Sequence, residues 1–235
     1  MDGGQPGLET RPAIGWFHSL TLPGGETTAG EKPAAVLAAE ADVVFKHSVA
    51  GKRVLDIGAW DGFFSFEAER RGAAHVLATD HFCWSGSGWG TKAGFDYAHG
   101  RLGSRVASLD IDVPRIAPET VGMHDVVLFL GVLYHVKDPL AALERAASAA
   151  GEMLVVETAT ALDRLPWPVA RYYPGAELNN DATNFWAPNR RCLEGMARDL
   201  GFTRIEMTGH PATRPHWRRP DLYWKHNRVF MHAWR

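Results

Sequence analysis

With 235 residues, 46% of them hydrophobic, the chain is long enough to bury one sizeable core, and its formal net charge of −2 and pI near 6.6 argue against an overall nucleic-acid-binding surface. Two cysteines, Cys83 and Cys192, supply neither a disulfide framework nor a metal-binding pair and fit a reducing cytoplasm. No apolar run approaches the roughly 18 residues of a membrane span, and Met1 to Thr10 lack the cationic start and apolar core of a signal peptide, so no membrane partner is expected.

In chain order, Met1 to Gly15 are rich in Gly, Pro and polar residues and are expected to be poorly ordered. Trp16, Phe17 and His18 are too apolar for a free tail: they form either a plug on a sheet edge or a flap over a ligand. Lys32 to Val49 predict an amphipathic helix with Pro33 at its start and Gly51 as its stop.

Val54 to Phe66, V-L-D-I-G-A-W-D-G-F-F-S-F, reads as a buried strand, a glycine turn and the first turn of a helix that Gly72 ends. Glycines 58 and 62 let backbone approach a ligand, and the free N–H groups of the following helix start favour a carboxylate. A second strand, Val76 to Thr79, ends in Asp80, a position from which a carboxylate accepts both hydrogen bonds of a ribose diol. Trp60 stands where a dinucleotide-binding loop has its middle glycine, so the loop suits a ligand without pyrophosphate.

His81 to Gly94 is too glycine-rich for a helix and too aromatic for a plain linker, and reads as a mobile loop near the ligand. Val106 to Leu109 predict a third strand ending in Asp110 and Asp112. Asp110 is either a ligand contact or a solvated strand end, since Asp is common in turns. Asp125 to Leu130 form an apolar central strand that runs into Gly131 to His135 at the ligand-binding edge of the sheet. Asp138 and Pro139 open a helix reaching Ala149, and Met153 to Glu157 form a fifth strand.

Thr158 to Ala187 shows neither helical nor strand period, yet its aromatic content argues against disorder, so it reads as a functional loop. Pro188 to Leu200 predict a helix closed by Gly201, and Phe202 to Met207 a strand. The tail after His210 mixes Arg214, Arg218, Arg219, Lys225 and Arg228 with Trp217, Tyr223, Trp224 and Trp234. It is either an RNA-stacking surface or an ordinary edge hairpin with solvated arginines.

The segments V-L-D-I-G-A-W-D-G, A-T-D-H, S-L-D-I-D, D-V-V-L-F-L-G-V-L-Y-H-V-K-D-P-L, L-V-V-E-T and Y-Y-P-G-A-E-L-N-N-D-A-T-N-F-W-A-P-N resemble the class I S-adenosylmethionine (SAM) dependent methyltransferases. Within that superfamily the chain is most similar to the tRNA wobble-uridine carboxymethyl-transferring enzymes and their small-molecule O-methyltransferase relatives. The resemblance implies a single-domain α/β fold, a Rossmann-like seven-stranded three-layer sandwich. Residues 1–50 would be its flap and first helix, and 51–235 its catalytic body with a substrate insertion at 158–187. It favours the flap reading of Trp16.

The expected SAM site is then Trp16, Asp56, Gly58, Ala59, Trp60, Gly62, Asp80, His81, Asp110, Ile111, Leu130 and Gly131. The expected acceptor side is Arg171, Tyr173, Glu177, Asn179, Asn180, Trp186 and Arg228. His135 is the candidate base because of its position at the sheet mouth and an imidazole pKa of about 6.5, against a purely structural role in tying the loop down. Tyr134 and Arg228 match residues that hold the extra carboxylate of carboxy-SAM in the wobble-uridine enzymes. The lysine completing that grip has no counterpart here, which favours ordinary SAM.

Glu157, Glu177, Asn179, Asn180 and Asp181 would orient a polyhydroxylated acceptor or hold Mg²⁺, but their spacing assigns no metal site. The expected activity is O-methylation of a small hydroxylated metabolite such as a sugar or natural product. Modification of a tRNA wobble uridine is the alternative.

Overall fold

The computed structural model describes residues 14–211 and 227–235. Seven strands make one sheet in the order β3-β2-β1-β4-β5-β9-β8. They are β1 (Arg53–Ile57), β2 (His75–Asp80), β3 (Ala107–Asp110), β4 (His124–Leu130), β5 (Ala150–Thr160), β8 (Arg204–Gly209) and β9 (Asn227–Trp234), while β6 (Ala170–Tyr172) and β7 (Trp186–Pro188) pair separately. The first five strands run parallel, and β9 is antiparallel to both β5 and β8.

The unbroken apolar runs of the central strands follow from burial on both faces. Val126 and Leu128 of β4 enter one core with Val54, Val76, Met153, Val155 and Phe230. The residues that alternate with them, Val127 and Phe129, enter another with Leu55, Ile57, Leu154, Val156 and Met231. Helices α1 (Ala34–Val44), α2 (Phe63–Arg70) and α3 (Ala93–Leu102) cover the first face. The short α4 (Pro118–Val121), α5 (Pro139–Ser148) and α6 (Arg190–Asp199) cover the second, giving three layers. Successive strands leave β1 in one direction and β4 in the other, so a crevice opens at the carboxyl ends of these two.

Several boundaries differ from the sequence expectation. The first helix ends at Val44, not Val49, where Lys46 and His47 turn to Glu206 of β8 at 2.9 and 3.1 Å, and Pro33 is its extended N-cap. Helix α3 begins inside the glycine-rich stretch expected to be loop. Gly94 sits so close to Asp61 that a Cβ there would lie 2.4 Å from its carboxylate, and Phe95 and Ala98 are buried; packing overrides weak helix propensity. The turn before it is wound on the His81 carbonyl, which accepts from the N–H groups of Trp84, Ser85 and Gly86, with Cys83 and Trp84 buried.

Strand β5 extends to Thr160 because β9 pairs with it from Met153 onward. The insertion is therefore not loop throughout: its start belongs to β5, and it contains β6 and part of β7. Asp138 caps α5 through Ala141 N–H at 3.1 Å, as its sequence position predicts. Helix α6 is capped instead by Asn189, whose side chain accepts from Cys192 N–H at 2.8 Å. Arg214, Trp217, Arg218, Arg219, Tyr223, Trp224 and Lys225 lie outside the described residues.

Candidate active site

One half of the crevice is made by the turn after β1. Gly58 and Gly62 adopt φ of +81° and +85°, and Trp60 between them takes +46°, a left-handed conformation uncommon for a bulky residue. Asp80 at the tip of β2 holds the turn: one carboxylate oxygen accepts from Trp60 N–H at 3.0 Å, the other from Cys83 N–H at 2.9 Å. Each oxygen keeps lone pairs for a further donor. Burial is the main reason the Asp80 carboxyl titrates above its usual range.

Asp56 faces into the protein, 2% exposed, and accepts from the Ser65 hydroxyl at 2.6 Å and from its backbone N–H. It thereby ties β1 to the first turn of α2, and burial pushes its pKa up to about 7. Asp61, absent from the sequence-derived site, anchors the amino-terminal segment: it accepts from Phe17 and His18 N–H at 2.8 and 2.9 Å. Phe17 therefore lies against the turn, stacked on Trp60 at 4.3 Å, whereas Trp16 packs edge-on against Tyr97 of α3. Further along, Trp60 stacks on Trp89 at 5.5 Å, and Trp89 meets the His135 ring at 5.2 Å. These rings join the turn to the other half of the crevice, and the buried Trp60 indole N–H has no partner among the described residues.

At the rim, His81 bonds Asp110 at 2.7 Å in solvent, which raises the imidazole pKa, while hydrogen bonds from Ser85 and then His81 lower the carboxyl one. Ile111 is buried in the second core, its N–H on the Asp80 carbonyl. Leu130 ends β4, and Gly131, at φ +73°, donates its N–H to the Glu157 backbone carbonyl.

The other half starts in the 3-10 turn Leu133–His135. Tyr134 is buried, and its hydroxyl accepts from Arg228 Nη2 at 3.1 Å. Arg228 also makes a bidentate pair with Glu157 at 2.5 and 2.6 Å. Burial raises the Tyr134 pKa, so its phenol stays protonated.

His135 is half-buried, and desolvation lowers its pKa, leaving the ring neutral at pH 7. Its Nδ1 lies 3.0 Å from Thr183 Oγ1 and 3.2 Å from the Thr183 carbonyl, and Thr183 in turn donates to Asp181. The insertion reaches this turn through two further bonds, Phe185 N–H to the Tyr134 carbonyl at 2.8 Å and Trp186 Nε1 to the Lys137 carbonyl at 3.1 Å. Sequence reading missed Thr183; the only signal was Asp-x-Thr, a local turn pattern.

The remaining acceptor-side candidates scatter. Tyr173 is buried beside Tyr134 in a third core, and Arg171 lies over its ring at 4.4 Å and 3.6 Å from Glu177. Asn179 and Asn180 are exposed turn residues with φ of +59° and +57°. Among the described residues, no helix is long and apolar enough to cross a membrane, and no cluster of three or more His, Cys, Asp or Glu is arranged to hold a metal.

Residues 31–207 match the family model described as a methyltransferase domain. A ubiquinone biosynthesis O-methyltransferase of Psychrobacter arcticus is 29% identical over 185 residues, 72% of this chain and 67% of that protein. A tRNA U34 carboxymethyltransferase of Psychrobacter cryohalolentis is 29% identical over 171 residues, 67% of this chain but only 45% of that enzyme. Among solved structures, the N-terminal domain of EvdMO1, determined in the presence of SAH and D-fucose, superposes with a TM-score of 0.66 at 20% identity, covering 94% of this chain and 91% of that one. A Burkholderia thailandensis 1,6-didemethyltoxoflavin-N1-methyltransferase superposes with a TM-score of 0.60 at 18% identity over 86% and 78%. Sheet order, crevice and family match agree: the chain belongs to the class I SAM-dependent methyltransferases.

Proposed function

We propose that the enzyme transfers the SAM methyl group to a hydroxyl oxygen of a small metabolite, with His135 removing the proton. The carrying observation is His135 itself, a neutral imidazole at the carboxyl edge of β4, joined to the glycine turn through Trp89 and Trp60. When bound, SAM supplies a methyl group on a positively charged sulfur, and its leaving thioether is neutral. The chain's residues then have two tasks, to align the acceptor oxygen with the methyl and to take up its proton. Alignment is worth roughly 7 to 11 kcal/mol and a placed base about 10²- to 10⁴-fold. With the donor bound, the acceptor hydroxyl would be held in line with the methyl it receives and would give up its proton to the His135 imidazole.

The turn fits the donor. Asp80 retains lone pairs for the ribose hydroxyls, and the start of α2 offers N–H groups for the methionine carboxylate. Ordinary SAM suits the site better than carboxy-SAM, because the Nε and Nη2 edge of Arg228 already holds Glu157. A donor carboxylate taking that edge would have to displace a buried one. The O-methyltransferase relative and the sugar present in the EvdMO1 crystals support a small hydroxylated acceptor. His81, Asp110, Ile111, Leu130 and Gly131 are assigned to the adenosine side, and Arg171, Tyr173, Glu177, Asn179, Asn180, Trp186 and Arg228 to the acceptor side or its support.

Calorimetry should detect SAM binding, and labelled methyl from SAM should appear on members of a panel of sugars and phenols but not on unmodified tRNA. His135→Gln should lower turnover by about 10²- to 10⁴-fold with SAM affinity intact. Transfer to tRNA alone, or full activity in His135→Gln, would reject this reading.

A further inference from the structure

We propose that Thr183 and Asp181 are positioning residues that fix the proton of neutral His135 on Nδ1, so that Nε2 faces the acceptor as the basic nitrogen; the catalytic part of this rests on His135 being the base. Asp181 Oδ1 accepts two hydrogen bonds from Thr183, from its N–H at 2.8 Å and its hydroxyl at 2.7 Å. A threonine hydroxyl has one proton, and here the carboxylate takes it. The oxygen is left with lone pairs only, and it lies 3.0 Å from His135 Nδ1. The second neighbour of Nδ1, the Thr183 carbonyl at 3.2 Å, is also purely an acceptor. Two acceptors at one ring nitrogen require a proton on it, which in a neutral imidazole leaves the lone pair on Nε2. Free histidine in water prefers the opposite tautomer, so the insertion imposes the form that it presents.

The arrangement also prepares the ring for charge. When Nε2 takes a proton, the imidazolium is connected through the Thr183 hydroxyl to the Asp181 carboxylate, the part an acid plays behind the histidine of a hydrolytic triad. Asp181 and Glu157 favour the protonated ring, whereas Arg228 and desolvation oppose it. The other rings against His135, Trp89 and Tyr134, carry no charge at neutral pH. The aperiodic insertion thus has a definite task. Its attachments through Phe185 and Trp186 bring Thr183 to a histidine that is 48 residues away in sequence.

The test needs no acceptor. Long-range ¹H–¹⁵N correlation spectra of the full chain labelled with ¹⁵N-histidine report the tautomer and titration of each ring, and His135→Gln assigns the signal. The expected wild-type signal is the Nδ1–H pattern with a midpoint below the ordinary histidine value. Thr183→Val should move the population towards Nε2–H, Thr183→Ser should restore the wild-type pattern, and Asp181→Asn should lower the midpoint further by removing the negative charge.

An Nε2–H signal in the wild type overturns the proposal, even if the variants fail to fold. So does an unchanged tautomer in Thr183→Val together with an unchanged midpoint in Asp181→Asn. Loss of SAM binding in calorimetry, or full methyl transfer by His135→Gln, would sink the functional reading while leaving the tautomer result to stand or fall alone.

Discussion

The two halves of the crevice are built differently. The half proposed to hold the donor is local: Gly58 to Gly62 follow β1, Asp80 ends the next strand, and the Trp60 and Cys83 N–H groups bond its carboxylate. The half proposed to hold the acceptor is long-range: Tyr134, Glu157, Thr183 and Arg228 come from four separate segments joined by side chains and one buried ion pair. The first kind of site follows from the geometry of a strand-turn-helix unit, so changes there should alter ligand affinity more than folding. The second exists only when distant segments have docked, and changes there should cost stability.

The largest effect expected is from Arg228→Met, which strands Glu157 at 4% exposure. Unfolding in urea should show a loss of about 3 kcal/mol, the low end for a broken buried pair, because the Arg228 side chain keeps 27% of its surface in solvent. Adding Glu157→Met should recover most of it. If the single variant is as stable as wild type, the contrast between the halves fails on the acceptor side.

On the donor side, Asp80→Ala should weaken SAM binding by roughly 1 to 3 kcal/mol, read by calorimetry, since ligand donors and the Trp60 and Cys83 N–H groups all lose their acceptor. Unchanged affinity would remove Asp80 from the donor grip.

Asp56 sharpens the comparison through pH. Its folded-state pKa of about 7 lies above the ordinary 3.8, so the folded chain holds this proton longer than the unfolded one. Its contribution to stability is therefore present below the ordinary value and lost as pH rises towards 7. Asp56→Asn, which cannot ionise, should look better relative to wild type at pH 8 than at pH 5, by on the order of 2 kcal/mol in urea melts. An equal difference at both values would refute the buried-acid account.

The smallest effect expected lies just after the Leu133–His135 turn. Asp138→Ala removes the α5 cap and should cost about 1 kcal/mol in the same melts without changing SAM affinity.

Much of the turn proposed to hold the donor was legible as structure because its determinants are local. Strand-length apolar runs, glycines where φ turns positive and an acid at a strand tip lie close together in sequence, and the Asp138-Pro139 helix start reads the same way. Helix α3 was not legible, since what holds Gly94 and Phe95 in helix is contact with Asp61 and the sheet. Phe17 rather than Trp16 reaches the glycine turn because Asp61 fixes the preceding backbone, and no periodicity encodes that.

By itself, then, the sequence determined the first five strands of the sheet, the glycine turn after β1 and the helix that Asp138 caps, all set by hydrophobic period and backbone permissiveness within short windows. Only the tertiary structure decided that Glu157 fills the Arg228 fork and that Thr183 stands between Asp181 and His135. Hydrogen bonds between distant residues depend on where packing of both sheet faces carries them, and that is a property of the whole chain rather than of any segment.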